Sequence, residues 1–295
     1  MTHIEIIREA KNEKAHGVAY RVNGEFRESH SLAINPSWWD EVSDLSLLDD
    51  DIFLITYPRV GTTLTQTIIT NLMGKPSKVV NESSATSFLE MFKEGYNGVE
   101  VTKGLERPRL IKTHLVMPLV PKEFFSKKPK TVFIVRNYFD NLVSCFHFYQ
   151  RGEIFRLLHP ELTFEKFFDN FVIKGEQVNG SWFRWHKLWL DYIMNEGSSH
   201  CILLHYQDIV QDKANVIDKL VKFLGLPASE ELVQAAINAS DFDNMKKVYD
   251  AAGPANFIRE GKVDAGQSYF TEGQKNLFNE KVKQELGDYA NLFRV

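Results

Sequence analysis

A short apolar strand, a turn and an amphipathic helix follow one another near residue 60, and this unit constrains the fold more than any other feature. The strand covers residues 51–58 and ends at a proline, which cannot donate a hydrogen bond to a ladder. The helix covers residues 64–73, where apolar side chains recur on one face. Gly61 permits a tight turn between them, and the hydroxyl of Thr62 or Thr63 is suited to cap the helix.

The same order of strand and helix recurs along the chain. It predicts further strands over residues 109–112, 131–135 and 201–206, and further helices over residues 140–150, 163–171 and 216–224. This alternation is typical of a parallel sheet with crossover helices. Because no internal repeat or Pro/Gly-rich linker divides the sequence, we predict one α/β domain over residues 1–295, with a central parallel sheet flanked by helices. The C-terminal segment is more polar and less regular.

Composition excludes several classes of function. The net charge of −4 gives the chain no overall basic footprint for nucleic acid or an anionic membrane. No apolar window approaches the ~18 residues of a membrane-spanning helix, and the charged first residues lack the apolar stretch of a secretory signal. The two cysteines, Cys145 and Cys201, lie in apolar runs and predict no disulfide framework. We expect a cytoplasmic protein that binds neither nucleic acid nor membrane.

The turn after the first strand is suited to bind a phosphate or sulfate group. A helix N-terminus after a glycine-containing turn presents unpaired backbone N–H groups and the positive end of the helix dipole. Arg59 adds a full charge, and Thr62 and Thr63 add hydroxyl donors. The Walker pattern of P-loop nucleotidases is absent. Taken alone, the pattern fits an ordinary strand–helix turn equally well.

Two further polar residues follow predicted strands. His114 comes directly after Lys112 and a threonine, and Arg136 follows the strand that ends at residue 135, with Ser144 eight residues later. Strand ends of open α/β sheets face the ligand crevice. There an imidazole can take a proton near neutral pH, and an arginine can bind a phosphate through two hydrogen bonds. Taken alone, each of these residues is more often structural than functional.

Together these segments resemble the cytosolic sulfotransferase family over nearly the whole chain. Residues 56–63 (TYPRVGTT) resemble the family's 5'-phosphosulfate loop, and residues 109–115 (RLIKTHL) resemble the segment with the catalytic base. Residues 135–149 are similar to the 3'-phosphate motif and its helix, and residues 259–261 (REG) resemble the C-terminal cofactor segment. Further similar segments, in family order, are residues 180–182, 206–208, 222–225 and 270–271.

The resemblance implies a donor, a base and a set of binding residues. The donor would be 3'-phosphoadenosine-5'-phosphosulfate (PAPS), which leaves as adenosine 3',5'-bisphosphate, and the in-line transfer would need no metal. The implied catalytic residues are His114 as general base, Lys112, Arg59 and Ser144. The implied acceptor-site residues are Phe88, Phe148 and His114, with Trp182 nearby. The residues implied to bind PAPS are Arg59, Val60, Gly61, Thr62, Thr63, Leu64, Arg136, Ser144, Tyr206, Ser240, Phe242, Met245, Arg259, Glu260 and Gly261.

Three positions depart from the family pattern. Arg59 and Glu260 stand where lysines are usual, and Leu64 stands where a tryptophan is usual. These changes leave open a catalytically impaired relative that binds a nucleotide or a partner, whereas the missing Walker lysine argues against a P-loop kinase. The family's dimer motif would fall at residues 267–276, where only Thr271 matches. We therefore expect a monomer, or a dimer formed through another surface.

The sequence leaves the small-molecule acceptor open. A hydroxyl and an amine are equally compatible with the motifs. Glu82, Glu90 and Glu94 would suit a cationic acceptor if they faced inward, and exposed loop carboxylates are the alternative.

Overall fold

A five-stranded parallel sheet lies at the centre of the computed structural model, which describes residues 2–13, 15–76, 86–227, 229–252, 261 and 263–295. The strands are β1 Ile4–Lys11, β2 His16–Val22, β3 Glu25–His30, β4 Ile52–Thr56, β5 Thr86–Phe88, β6 Phe92–Lys93, β7 Tyr96–Asn97, β8 Leu110–Thr113, β9 Lys130–Val135 and β10 Cys201–His205. The helices are α1 Pro36–Ser43, α2 Thr62–Leu72, α3 Gly98–Lys103, α4 Phe124–Lys127, α5 Tyr138–Arg151, α6 Glu153–Leu158, α7 Phe164–Phe168, α8 Trp182–Asn195, α9 Tyr206–Gln211, α10 Lys213–Leu224, α11 Glu230–Ala239, α12 Phe242–Ala252 and α13 Glu272–Leu286. Short 3₁₀ turns cover Ser31–Ala33, Met117–Leu119, Gly266–Tyr269 and Gly287–Phe293, and a π-helical segment covers Asp169–Lys174.

The central sheet has the strand order β10–β9–β4–β8–β5, and each neighbouring pair is parallel. The chain enters this sheet at β4, builds one side with β5 and β8, and then crosses to the other side with β9 and β10. The direction of winding changes between β4 and β9. Ligands of open α/β sheets bind at the carboxyl ends of the strands beside such a switch point. The predicted α/β fold with a central parallel sheet is confirmed.

Helices cover both faces of this sheet, so its inner strands are buried along their length. Every residue of β4 is buried, as are all residues of β9 after Lys130, which is the pattern expected of parallel strands covered on two sides. Aromatic rings fill much of the space beneath the helices. The ring centres of Phe139, Phe270 and Phe278 lie between 4.9 and 6.4 Å apart. The sequence has 22 phenylalanines, and many of them therefore belong to the core.

Several local predictions are wrong in detail. The N-cap of α2 is Gly61, without a side-chain cap, rather than Thr62 or Thr63. Tyr206 begins a helix instead of ending a strand, because β10 stops one residue earlier. The C-terminal segment, expected to be irregular, contains the 15-residue helix α13, which Thr271 begins with a capping box. Helix α7, predicted to reach residue 171, passes into the π-helical segment after Phe168.

An antiparallel sheet at the N-terminus was not predicted. Strands β1, β2 and β3 pair in that order. Charged residues recur along β1 and β3 and obscure the apolar alternation that identifies a strand. Nevertheless Arg27 and Glu28 of β3 are buried, at 5% and 2% exposed. Within the described ranges, none of the helices combines the length and apolarity needed to cross a bilayer.

Candidate active site

The loop between β4 and α2 presents the N-terminus of an 11-residue helix. Gly61 is its N-cap and offers no side-chain hydrogen bond. The amide of Thr65 donates the first helical bond to the Gly61 carbonyl oxygen, at 3.0 Å. The amides of Thr62, Thr63 and Leu64 therefore point out of the first turn without intrahelical acceptors. Such an end accommodates a phosphate or sulfate oxygen.

The shape of this loop is fixed by two left-handed residues. Gly61 has φ 110° and Arg59 has φ 69°. A Cβ at Gly61 would lie 2.6 Å from Cδ2 of Tyr206, so both the backbone conformation and the neighbouring ring require glycine. Val60 between them is buried, and Leu64 is partly buried against the core.

Arg59 and Arg136 follow the adjacent strands β4 and β9, and both side chains lie at the loop between β4 and α2. Arg136, after β9, donates through Nη1 to the carbonyl oxygen of Arg59 at 2.9 Å, and its Cζ lies 4.3 Å from the centre of the Tyr206 ring. Nε of Arg59 donates to Oγ of Ser144 at 3.3 Å, and its Cζ lies 5.5 Å from the centre of the Phe148 ring. Burial lowers the pKa of Arg59 to about 10, so the side chain is cationic at neutral pH. Five residues predicted to form the site are thus brought together.

His114 lies after β8, directly beside the last residue of β4. Its Nδ1 is 2.7 Å from the carbonyl oxygen of Thr56 and 3.0 Å from the Oγ1 of that residue. Because a carbonyl oxygen only accepts, Nδ1 carries the proton, and Nε2 keeps the lone pair. Oγ1 of Thr56 also lies 2.8 Å from Oγ1 of Thr62. One residue therefore links the imidazole to the first turn of α2. Burial, with smaller effects of nearby positive charges, lowers the pKa of His114 to about 3.

Lys112 and Phe88 lie next to this imidazole. Nζ of Lys112 donates to Oε1 of Gln66 at 2.9 Å and lies 4.8 Å from the centre of the Phe88 ring. The same ring is 5.0 Å from that of His114, edge to face. Burial lowers the pKa of Lys112 to about 8, against the raising effect of the Glu90 carboxylate. The three residues predicted around the reacting centre are therefore neighbours.

A buried carboxylate holds the backbone at His114. Oε1 of Glu90 accepts from the His114 amide at 2.6 Å, and Oε2 accepts from Oγ1 of Thr113 at 2.7 Å. Burial raises the pKa of Glu90, although Arg27 and these hydrogen bonds oppose the rise. Glu90 is thus neither an exposed loop carboxylate nor one directed only at a ligand. Glu94 is exposed, and Glu82 lies outside the described residues.

Three residues predicted to bind PAPS form a separate group where α11 meets α12. Oγ of Ser240 donates to the Ala236 carbonyl oxygen at 2.6 Å. Met245 is buried, and Phe242 is partly exposed. A Cβ at Gly261, where φ is 62°, would lie 2.6 Å from Cδ2 of Phe242, so glycine lets the chain pass this ring closely. Arg259 and Glu260, also predicted to bind PAPS, lie outside the described residues.

Several contributors to this site were missed from the sequence. Asp140 accepts from the amides of Asp264 and Gly266, at 2.8 and 2.7 Å, and so ties the C-terminal segment to α5. Thr56 and Gln66 hold His114 and Lys112. The signals for these roles were the strand-end position of Thr56 and the place of Asp140 in the segment similar to the 3'-phosphate motif. Trp182, expected near the acceptor, is fully buried and donates to Oδ1 of Asn141 at 2.9 Å.

Comparison with known proteins identifies the class. The family model described as a sulfotransferase domain matches residues 49–290. The chain is 31% identical to sulfotransferase 1A1 of Bos taurus over 265 residues, covering 83% of this chain and 86% of the relative. It is 29% identical to cytosolic sulfotransferase 1 of Danio rerio over 279 residues, covering 87% and 89%. A crystal structure of retinol dehydratase with androsterone and inactive cofactor PAP has the same fold, with TM-score 0.78, 19% identity and 97% and 96% coverage.

The chain belongs to the sulfotransferase family, because the family model covers most of its length and a relative above 30% identity covers more than two thirds of it. The family predicted from the sequence is therefore confirmed.

Proposed function

We propose that this protein transfers a sulfuryl group from PAPS to a hydroxyl or amine of a small-molecule acceptor, with His114 as general base. The observation that carries the proposal is the double role of Thr56. Its carbonyl oxygen fixes Nδ1 of His114, and its hydroxyl contacts Thr62 in the first turn of α2. A base with its lone pair on Nε2 and an anion-binding helix end are thereby held beside each other, as in-line transfer requires.

The chemistry assigned to each group follows from its position. Nε2 of His114 takes the proton of the acceptor O–H or N–H while the acceptor atom forms its bond to sulfur. The bond from sulfur to the bridging phosphate oxygen breaks, and adenosine 3',5'-bisphosphate leaves. Lys112 and Arg59 stabilise the charge that develops on the transferring and leaving oxygens. The low pKa of His114 keeps the base unprotonated before binding, and the negative charge of PAPS raises that pKa when the donor arrives.

Different groups of residues would bind different parts of PAPS. The loop from Arg59 to Leu64 would hold the 5'-phosphosulfate. Two observations support this assignment: the amides of the first helical turn point outward, and the Tyr206 ring leaves room only for glycine at position 61. Arg136 and Ser144 would hold the 3'-phosphate. The adenine would meet Tyr206 together with the group at the α11–α12 junction, whose members are Ser240, Phe242 and Met245. Arg259 and Gly261 would complete the phosphate site. The retinol dehydratase complex supports this assignment, because it contains PAP in the same fold.

We propose a binding partner, a location and an assembly state that are typical of an enzyme acting on small molecules. The androsterone bound to retinol dehydratase supports a small apolar acceptor, and the name of the Danio rerio relative supports a cytosolic protein. Thr271, the one match to the family's dimer motif, caps α13 in this chain. A helix cap explains that residue without a dimer, so we propose a monomer or a dimer through another surface.

Substitution of His114 tests the proposal. Asparagine can still donate a hydrogen bond toward Thr56 but has no group in place of Nε2. We expect His114→Asn to lower the rate with PAPS at least about 100-fold, the low end for loss of a general base, without weakening stabilisation by adenosine 3',5'-bisphosphate in thermal unfolding. The matched control is His16→Asn at the start of β2, where the side chain is 36% exposed. All assays contain EDTA, because the reaction is proposed to need no metal. A variant that keeps more than a tenth of the rate contradicts the role.

A further inference from the structure

A buried glutamine connects the helix proposed to bind the donor with the lysine beside the proposed base. Gln66 lies in the second turn of α2 and is fully buried. Its Oε1 accepts a hydrogen bond from Nζ of Lys112 at 2.9 Å. Because an ammonium group only donates, the oxygen of the amide, and not its nitrogen, must face it. The charge of Lys112 therefore determines how the Gln66 side chain is oriented.

Gln66 shares one face of α2 with the residue that connects this helix to the imidazole. Thr62 and Gln66 are four residues apart, so their side chains project from the same side of the helix, about 6 Å apart along its axis. The Thr62 hydroxyl lies 2.8 Å from that of Thr56, whose carbonyl oxygen fixes Nδ1 of His114. The same face of α2 thus contacts both groups that are proposed to act in the transfer, the imidazole through Thr56 and the ammonium through Gln66.

The charge of Lys112 needs such an acceptor because the residue is only 3% exposed. Burial lowers the pKa of its ammonium group, since water no longer solvates the cation. Phe88, opposite Lys112 on the neighbouring strand β5, has its ring centre 4.8 Å from Nζ. Gln66 adds an amide oxygen at hydrogen-bond distance. A hydrogen bond to the charged form of a basic group favours that form.

Replacement of Gln66 by a neutral residue leaves the charges around Lys112 in place. The titratable and charged groups of this region include Arg27 on β3, Arg59 after β4, Glu90 after β5 and His114 after β8. Glu90 raises the pKa of Lys112, and the charge of Lys112 in turn contributes to lowering the pKa of His114. An effect of Gln66 on the titration of Lys112 can therefore be separated from the effects of these groups.

We propose that Gln66 is a positioning residue for the transfer: its amide oxygen holds the ammonium group of Lys112 beside the first turns of α2 and favours its charged form. The proposal rests on the sulfotransferase function proposed above. It adds a residue outside the segments that resemble the family motifs. Gln66 acts through Lys112, which is the group assigned to the charge on the transferring oxygens.

The pH dependence of kcat/KM for PAPS tests this role, with an alcohol acceptor that does not ionise between pH 6.5 and 10. Gln66→Met keeps a similar volume without the acceptor oxygen, so the charged form of Lys112 loses a hydrogen bond. We expect its activity to fall about one pH unit below the alkaline fall of the wild type, and to be roughly tenfold lower at pH 7. Gln66→Glu keeps the shape and adds a negative charge, so the fall should move about one pH unit upward.

Asn71→Leu is the matched control. Asn71 is another buried amide of α2, and its Nδ2 donates to the carbonyl oxygen of Thr67 in the same helix at 2.8 Å. Its loss can destabilise the helix but should leave the pH of the alkaline fall unchanged. A combined variant gives a second readout. Because Gln66 is proposed to act through Lys112, Gln66→Met should slow a Lys112→Met enzyme less than about twofold.

The outcomes separate this role from the function on which it rests. An alkaline fall at one pH in the wild type and both Gln66 variants overturns the role of Gln66. So does a Gln66→Met change that slows the Lys112→Met enzyme as much as it slows the wild type. If Gln66→Met does not fold, the direction of the shift in Gln66→Glu decides; if the wild-type profile is level, the combined variant decides. A wild type that forms no sulfated product from any acceptor overturns the proposed function itself, and the role of Gln66 with it.

Discussion

Deprotonation of Lys112 should make the activity fall at alkaline pH, and substitution of Lys112 should remove that fall. The residue is 3% exposed, and burial lowers the pKa of its ammonium group to about 8. A pKa lowered to this value means that the ammonium is present at neutral pH and is lost as the pH rises through 8. With one such proton, roughly nine tenths of the enzyme is active at pH 7 and roughly one tenth at pH 9. We therefore expect kcat/KM for PAPS to fall about tenfold over this interval.

The assay compares three enzymes from pH 7 to 9.5 with an alcohol acceptor that does not ionise in this range. Lys112→Arg keeps the charge at all these values, so its kcat/KM should stay level although its absolute rate is lower. Lys112→Met keeps a similar volume without charge and should be slower than wild type by about 100-fold at pH 7. Its kcat/KM should likewise show no alkaline fall. In the wild type, the limb in kcat should lie at higher pH than the limb in kcat/KM, because the bound anion stabilises the ammonium.

Two results would refute this reasoning. One is a wild-type kcat/KM that is level from pH 7 to 9.5, which would mean that the charge of Lys112 does not matter or that its pKa is not lowered. The other is an unchanged alkaline limb in Lys112→Arg, which would assign the titration to a different group. Stabilisation by adenosine 3',5'-bisphosphate, measured at each pH, shows whether donor binding itself changes over the range.

Two further predictions concern the anion-binding loop. Gly61→Ala should abolish stabilisation by adenosine 3',5'-bisphosphate, because its Cβ would lie 2.6 Å from Cδ2 of Tyr206; Gly24→Ala, with a similar positive φ but open space around it, is the control and should bind normally in the same thermal-unfolding assay. Arg59→Lys should change the rate less than tenfold and Arg59→Ala should reduce it about 100-fold, because the loop needs a cation near Ser144 to stabilise developing charge. A large gain in rate with Arg59→Lys would instead favour the catalytically impaired relative.

The parts of the site that were predictable are those fixed by strand ends. His114 and Arg136 each follow a buried strand, Tyr206 follows the partly buried edge strand β10, and parallel strands place their carboxyl ends on one edge of the sheet. A sequence pattern that identifies the strands therefore also identifies which side chains meet. The N-cap of α2 was predicted wrongly because the Thr62 hydroxyl can either cap its own helix or bind the preceding strand. In the structure it lies beside the hydroxyl of Thr56 in that strand.

The parts of the site that were not predictable are charged residues that become buried through contacts with segments distant in the sequence. Arg27 and Glu90 stand among other polar residues, in segments that locally fit an exposed strand and an exposed loop. They become interior only because β3 joins the N-terminal sheet and because Glu90 follows the edge strand β5 of the central one. A charged residue contributes no apolar signal to a periodicity, so its burial is visible only once its partners are placed.

The position of His114, the proposed base, is set by the register of the central sheet rather than by a loop. Strands β4 and β8 are paired so that Ile55 lies opposite Thr113, which places Thr56 opposite His114 one step further along. Successive side chains of a strand point to opposite faces, so a shift of one residue would exchange Thr113 for His114 and remove the base from Thr56. Glu90 holds this end of β8 to the segment that follows β5, because it binds the hydroxyl of Thr113 and the amide of His114 at once. The pairing of β4 with β8 places the imidazole where the Thr56 carbonyl oxygen fixes its tautomer, beside the helix end that is proposed to hold the donor.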